Sequence, residues 1–237
     1  MKKRNVKTLE ALKGGLIVSC QALDDEPLHS SFIMSRMAKA AEEGDAVGIR
    51  ANSPEDILEI KKVTSLPVIG IWKQVYPDSK VYITPTESEV DALVSTGVDV
   101  IALDATDRLR PGVETLQSFF TRIRKKYPDV LFMADCSTYE DGVRAEYLGF
   151  DIVSTTLAGY TDDTKGKALP DLEMLNRLCR DISIPVIAEG GIWEREDLRK
   201  AFEAGCFAAV IGTAITRPRE ITRRYTDVIK EIRDANR

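Results

Sequence analysis

A chain of 237 residues that is 43% hydrophobic and 30% charged has the length and apolar content to bury one large core, which excludes a disordered polymer. Its net charge of -5 leaves no basic excess for neutralising a nucleic-acid backbone, and no run approaches the roughly 18 apolar residues that span a bilayer. One histidine, His29, and four scattered cysteines without a C-x-x-C pair argue against a metal site and for free thiols.

The first 13 residues are basic and then mixed, with no apolar run of the kind an export signal needs, so a cytoplasmic location is expected. A short helix over about 7–13 is predicted to cap the bottom of the fold. From there, β-branched apolar runs at 16–19, 47–50, 68–72, 100–104, 130–135, 152–155, 186–189 and 208–212 alternate with helical patterns. Those patterns lie near 31–43, 54–63, 86–95, 114–126, 139–148, 171–180, 194–204 and 218–234. Eight β-α units, with no linker or low-complexity segment between them, predict a single (β/α)8 TIM barrel over residues 1–237.

The punctuation follows the same count. Gly44, Gly97, Gly149 and Gly205 precede strands two, four, six and eight, where glycine suits a left-handed helix C-cap. Pro67, Pro128 and Pro185 introduce strands three, five and seven. Ser53 before Pro54, and Thr84 and Thr86 around Pro85, mark helix starts. The longest loops, 73–85 and 156–170, are expected to be functional or mobile.

In such a barrel the chemistry sits at the C-terminal ends of the strands. That rule selects Gln21, Arg50, Lys73, Asp104, Asp135, Thr156, Glu189, Gly190, Gly191, Gly212 and Thr213 before any motif is consulted. Strands seven and eight close in glycines, where barrels commonly bind phosphate: Gly190, Gly191, Gly212 and Thr213 offer backbone N–H groups, and Arg217 follows before the last helix. Lys73 emerges from the apolar run 69–72, so it either reaches solvent or is desolvated toward base or imine chemistry. Glu189, an acid closing an apolar strand beside the glycines, reads as catalytic in preference to a buried helix-capping role. Strands three and seven are both odd-numbered, so their inward residues share layers and face each other.

Other strand ends are less decided. Arg50 and Asp135 either contact a ligand or form a structural ion pair. Gln21 either bonds a substrate amide or hydroxyl or is a plain polar strand end. Asp104 reads as a cap of the next turn through Thr106 and Arg108. Gly159 and Tyr160 in the sixth loop read as a lid, and His29 as a surface or capping residue.

With these residues in hand, the chain resembles the N-acylglucosamine-6-phosphate 2-epimerases, also called N-acetylmannosamine-6-phosphate 2-epimerases. The matching stretches are 15–22 (GLIVSCQA), 48–51 (GIRA), 67–73 (PVIGIWK), 101–106 (IALDAT), 133–137 (MADCS), 155–160 (TTLAGY) and 187–191 (IAEGG). Each alone is ordinary barrel vocabulary; together and in this order they are specific, and they cover nearly the whole chain. The resemblance implies interconversion of N-acetylmannosamine 6-phosphate and N-acetylglucosamine 6-phosphate in sialic acid and amino-sugar breakdown. It implies Lys73 and Glu189 as catalytic, Gln21, Arg50 and Asp135 as substrate-orienting, and Arg217 as the phosphate arginine. Thr156, Gly159 and Tyr160 join them as expected substrate contacts. No metal or other cofactor is expected, the partner is a small sugar phosphate rather than nucleic acid or membrane, and a homodimer is expected. Two other classes compete: a lysine imine-forming barrel resembling a thiazole synthase, and a sugar-phosphate sensor without turnover.

Overall fold

Each apolar run becomes one short parallel strand: β1 (Leu16–Cys20), β2 (Gly48–Asn52), β3 (Val68–Ile71), β4 (Val100–Asp104), β5 (Leu131–Asp135), β6 (Ile152–Ser154), β7 (Val186–Glu189) and β8 (Ala208–Ile211). These are the elements of a computed structural model that describes residues 3–236. The strands pair in chain order, and β8 returns to β1 with Leu16 against Ala209 and Val18 against Ile211, which closes the barrel. Strands apolar on both faces need cover on both. Ile17, Ile69, Ile71, Val100, Leu131, Met133, Ile152 and Ile187 fill the interior, while their neighbours Val18, Ile101, Phe132 and Val153 pack outward under the helices. This period of two decides where the site residues go. Counting on from the inward positions reaches Ser19 and Gln21, Arg50, Lys73, Asp135, Ser154 and Thr156, and Glu189.

The helices are α1 (Lys3–Leu12), α2 (Ser31–Glu43), α3 (Pro54–Ile60), α4 (Glu87–Ser95), α5 (Leu116–Lys126), α6 (Tyr139–Leu148), α7 (Leu172–Asp181), α8 (Arg195–Glu203), α9 (Thr213–Thr216) and α10 (Pro218–Ala235). The expected cap over 7–13 starts earlier, at Lys3. It seals the bottom by burying Leu12 in the inner core, and Gly14 N–H donates to the Phe207 carbonyl at 2.7 Å. Thr86 and Thr138 close reciprocal capping boxes with Glu89 and Asp141, which satisfies the first free N–H groups of α4 and α6.

Two expectations change. Gly149, at φ 90, makes the left-handed C-cap, but Gly44 sits at φ -92 and passes the turn to Asp45, at φ 65. Aspartate tolerates that region better than most side chains. The helix expected over 54–63 ends at Ile60. The last helix starts at Pro218 as expected, with the short α9 before it, and Arg217 between them has φ -118 and ψ 78, a non-helical backbone before the proline.

Arg110 ties the loops of the upper rim together. It is buried, donates to the carbonyls of Thr84 at 3.1 Å and Pro85 at 2.9 Å and to that of Asp104, and lies 4.1 Å above the Phe119 ring. By contrast α10 buries none of its residues. Tyr225, Val228, Ile229 and Ile232, spaced i, i+3, i+4 and i+7, form an apolar stripe that is 49 to 72% exposed. Among the described residues, no helix is long and apolar enough to cross a membrane.

Candidate active site

The strand ends converge on one cavity of about 380 Å³ at the C-terminal mouth of the barrel. Gln21, Arg50, Lys73, Thr156, Tyr160, Glu189, Gly190, Gly191, Gly212, Thr213 and Arg217 all line it. Asp135 and Gly159 do not. Asp135 is 0% exposed and holds both terminal nitrogens of Arg50, at 3.0 and 2.6 Å, so of its two readings the structure supports the ion pair. Gly159 turns the sixth loop at φ 81 and packs against Leu169 instead.

Arg50 organises the floor. Its guanidinium is 1% exposed and bridges two acids, since Nη1 also reaches Glu189 Oε2 at 3.0 Å. Thr156 Oγ1 lies against the same two carboxyls, 2.7 Å from Asp135 Oδ1 and 2.9 Å from Glu189 Oε2. Thr155 points outward and fixes the backbone instead: Glu189 N–H donates to its hydroxyl at 3.0 Å, and that hydroxyl donates to the Glu189 carbonyl at 2.8 Å. Arg50 Nε is buried without a partner among the described residues.

Lys73 follows β3 directly. Its N–H donates to Asn52 Oδ1 at 2.8 Å, and residue 73 pairs antiparallel with Ile83, so the long loop after β3 folds back along it. Burial, together with the positive charges of Arg50 and Arg217, pulls its ammonium down to about 8. Glu189 moves the other way. Burial pushes its carboxyl above the usual range against the pull of Arg50, and the negative charge of Asp135 adds to the rise. An amine that sheds its proton easily therefore shares a cavity with an acid that keeps one easily.

The glycine loops stand beside this pair. Gly191 has φ 72, and a Cβ there would meet Leu169 Cβ at 2.2 Å, so no other residue fits without moving the chain. The short α9 begins at Thr213, directly after Gly212. The N–H groups of Gly191, Gly212 and Thr213 have no hydrogen-bond partner among the described residues. Arg217 reaches the cavity from the break before α10, with Nη2 3.2 Å from Glu26 Oε2.

Asp104 caps its own turn, accepting from Thr106 N–H at 3.0 Å and from the Thr106 hydroxyl at 2.7 Å, and pairs with Arg108 at 2.5 Å. His29 lies on the surface, 3.3 Å from Asp24. Strand-end reasoning missed Tyr82 and Trp193, which reach the cavity from loops. It also passed over Ser19, whose inward parity was readable.

Fold and site together define the class: a (β/α)8 barrel whose cavity at the C-terminal ends of the strands holds the amine of Lys73 and the carboxyl of Glu189. The family model described as "Putative N-acetylmannosamine-6-phosphate epimerase" matches residues 34–231. Two relatives carry the same description with the 2-position specified. The one from Caldanaerobacter subterraneus subsp. tengcongensis is 55% identical over 228 residues, covering 96% of each chain. The one from Clostridioides difficile is 55% identical over 222 residues, covering 94% of this chain and 99% of that protein. The solved N-acetylmannosamine-6-phosphate 2-epimerase from Clostridium perfringens superposes with a TM-score of 0.89 at 55% identity, covering 93% of this chain and 95% of that one. The chain belongs to the N-acetylmannosamine-6-phosphate epimerase family. A thiamine phosphate pyrophosphorylase from Pyrococcus furiosus, 18% identical with a TM-score of 0.61, shares the fold alone.

Proposed function

We propose that the chain inverts C2 of N-acetylmannosamine 6-phosphate to give N-acetylglucosamine 6-phosphate, reversibly and without a metal, in the cytoplasmic breakdown of sialic acid and amino sugars. One observation carries this reading. The lowered amine of Lys73 and the raised acid of Glu189 open onto one cavity that also holds the glycine loops and Arg217.

The phosphate takes backbone N–H bonds at Gly190, Gly191, Gly212 and Thr213, with Arg217 adding charge. Gln21 and Tyr160 orient the sugar, with Thr156 in the cavity wall beside them. Ring opening frees an aldehyde at C1, which makes the C2 hydrogen acidic enough for a side-chain base to remove. Lys73 and Glu189 take that proton from one face of C2 and return one to the other. Charge gathers on O1 in between, beside the Arg50 guanidinium, which a backbone N–H can assist. Asp135 acts through Arg50 by holding it in place. The chemistry needs one transferable proton on the pair and no redox partner.

The test is incubation of the protein with N-acetylmannosamine 6-phosphate in D₂O, followed at C2 by NMR. N-Acetylglucosamine 6-phosphate carrying deuterium at C2 is the expected product. Substrate recovered unchanged rejects the assignment.

The working form is a homodimer. The apolar stripe of α10 supports this, because a row of large apolar side chains gains from cover by a second copy. Light scattering on the purified protein is expected to give twice the 26.3 kDa chain mass. A single chain mass at micromolar concentration would rule the dimer out.

A further inference from the structure

The Thr156 hydroxyl sits among more acceptors than it can serve. Its Oγ1 lies 2.7 Å from Asp135 Oδ1, 2.9 Å from Glu189 Oε2 and 2.9 Å from Ser154 Oγ. A hydroxyl has one proton to give and two lone pairs to receive with. If both carboxyls were ionised, each would need that one proton, and one close oxygen–oxygen contact would be left with nothing between.

Asp135 has the stronger claim to it. Its contact is the shorter, it is fully buried, and two Arg50 bonds at 3.0 and 2.6 Å hold it as an anion. Ser154, also fully buried, has only Thr156 to receive its own proton among the described residues, and so fills one lone pair. The second lone pair faces Glu189 Oε2. Only a protonated carboxyl donates to it.

We infer that Thr156, oriented by Ser154 and Asp135, is a positioning residue that receives the proton of Glu189 and so keeps this acid loaded in the resting site. This rests on the proton-transfer reading above and deepens it. Every valence of the hydroxyl is then used: one bond given to Asp135, one received from Ser154 and one received from Glu189. Glu189 lines the cavity, and its Oε1 takes no hydrogen bond from a described residue, so that oxygen is the one left for a substrate. A half-turn about the last side-chain bond, which is two-fold and soft, carries the proton from Oε2 to that side. The charged groups around Glu189 divide. Arg50 from β2 and Lys73 beyond β3 favour the anion, whereas burial and Asp135 from β5 favour the acid. A Thr156 that donated from the end of β6 would lower the carboxyl; receiving the Glu189 proton, it tips that balance toward the acid.

The experiment is a pH titration of the Glu189 carboxyl by carbon NMR, in protein labelled at glutamate carboxyls and assigned by comparison with Glu189→Gln. In Thr156→Val the acid loses its acceptor, and the midpoint is expected to fall by about one pH unit. Thr156→Ser keeps the hydroxyl and should keep the wild-type midpoint. Should the valine variant not fold, Thr156→Cys, a weaker hydrogen-bonding group of similar size, gives a shift of the same sign. A midpoint that stays put or rises in the valine variant overturns the proposal, since a Thr156 that donates to the anion would have been holding the carboxyl down. The titration needs no turnover. Absent epimerisation would sink the assigned function on its own, while an unmoved midpoint in an active enzyme would sink only the role given to Thr156. The limb of the kcat/KM profile that reports Glu189 should move by the same amount, because ionisation of the substrate phosphate cancels between variant and wild type.

Discussion

Replacing Lys73 with methionine is expected to lower kcat about 10³-fold while the protein stays folded, as removal of one of two proton-transfer groups does. Methionine is close in length and tolerates an apolar surrounding, and it takes away a cation that Arg50 and Arg217 already crowd. Stability should therefore hold or rise, which separates lost chemistry from lost structure. Lys73→Arg is expected to remain inactive. A guanidinium keeps its charge above pH 12 and cannot exchange a proton with C2. The wild-type pH profile carries a further sign. The pair works with one proton between its members, whichever holds it first. Both steps belong to the coupled pair: activity falls as rising pH removes its one proton, and falls again as dropping pH adds a second. The profile is a bell. A methionine variant that turned over within tenfold of wild type would remove Lys73 from the mechanism.

Asp135→Ala is expected to be the most damaging change to the fold among the site residues. It leaves Arg50 buried with one acid in place of two, and breaking a buried pair by removing one partner costs about 3–5 kcal/mol. For a chain of this length the melting temperature should fall by about 10 °C, read by circular dichroism. Asp135→Asn keeps the shape and one acceptor and should lose less. Activity is expected to drop in both, because Arg50, freed on one side, turns to Glu189 and stabilises its anion. A melting point within a degree or two of wild type in Asp135→Ala would mean that Glu189 alone satisfies the guanidinium.

The active-site contributors differ in how readable they were. Lys73, Glu189 and Gln21 are legible because a strand alternates faces and a barrel places its chemistry at one end. An inward polar residue at a strand terminus needs no partner to be noticed. Asp135 satisfied the same rule and yet lies under the cavity floor, because Arg50 from β2 reaches over and covers it. Tyr82 and Trp193 could not be found this way. They sit in loops without a period and are placed by tertiary contacts: the Tyr82 carbonyl accepts from Gln74 N–H at 3.0 Å, and Trp193 N–H donates to Asp197 Oδ2 at 3.2 Å. Gly44 illustrates the limit for local turns: a glycine in the right place yielded the left-handed position to Asp45.

What the chain order alone determined is the count of eight units, the inward parity of each strand and the glycine loops after β7 and β8. These are local properties, carried by neighbours a few residues apart. Tertiary structure decided the rest. Closing the barrel brings Arg50 against residues 85 and 139 positions away, and this makes one hydroxyl, one guanidinium and two acids share a single set of protons. The lowered amine and the raised acid also belong to that level, because burial and neighbouring charge exist only once the strands have met.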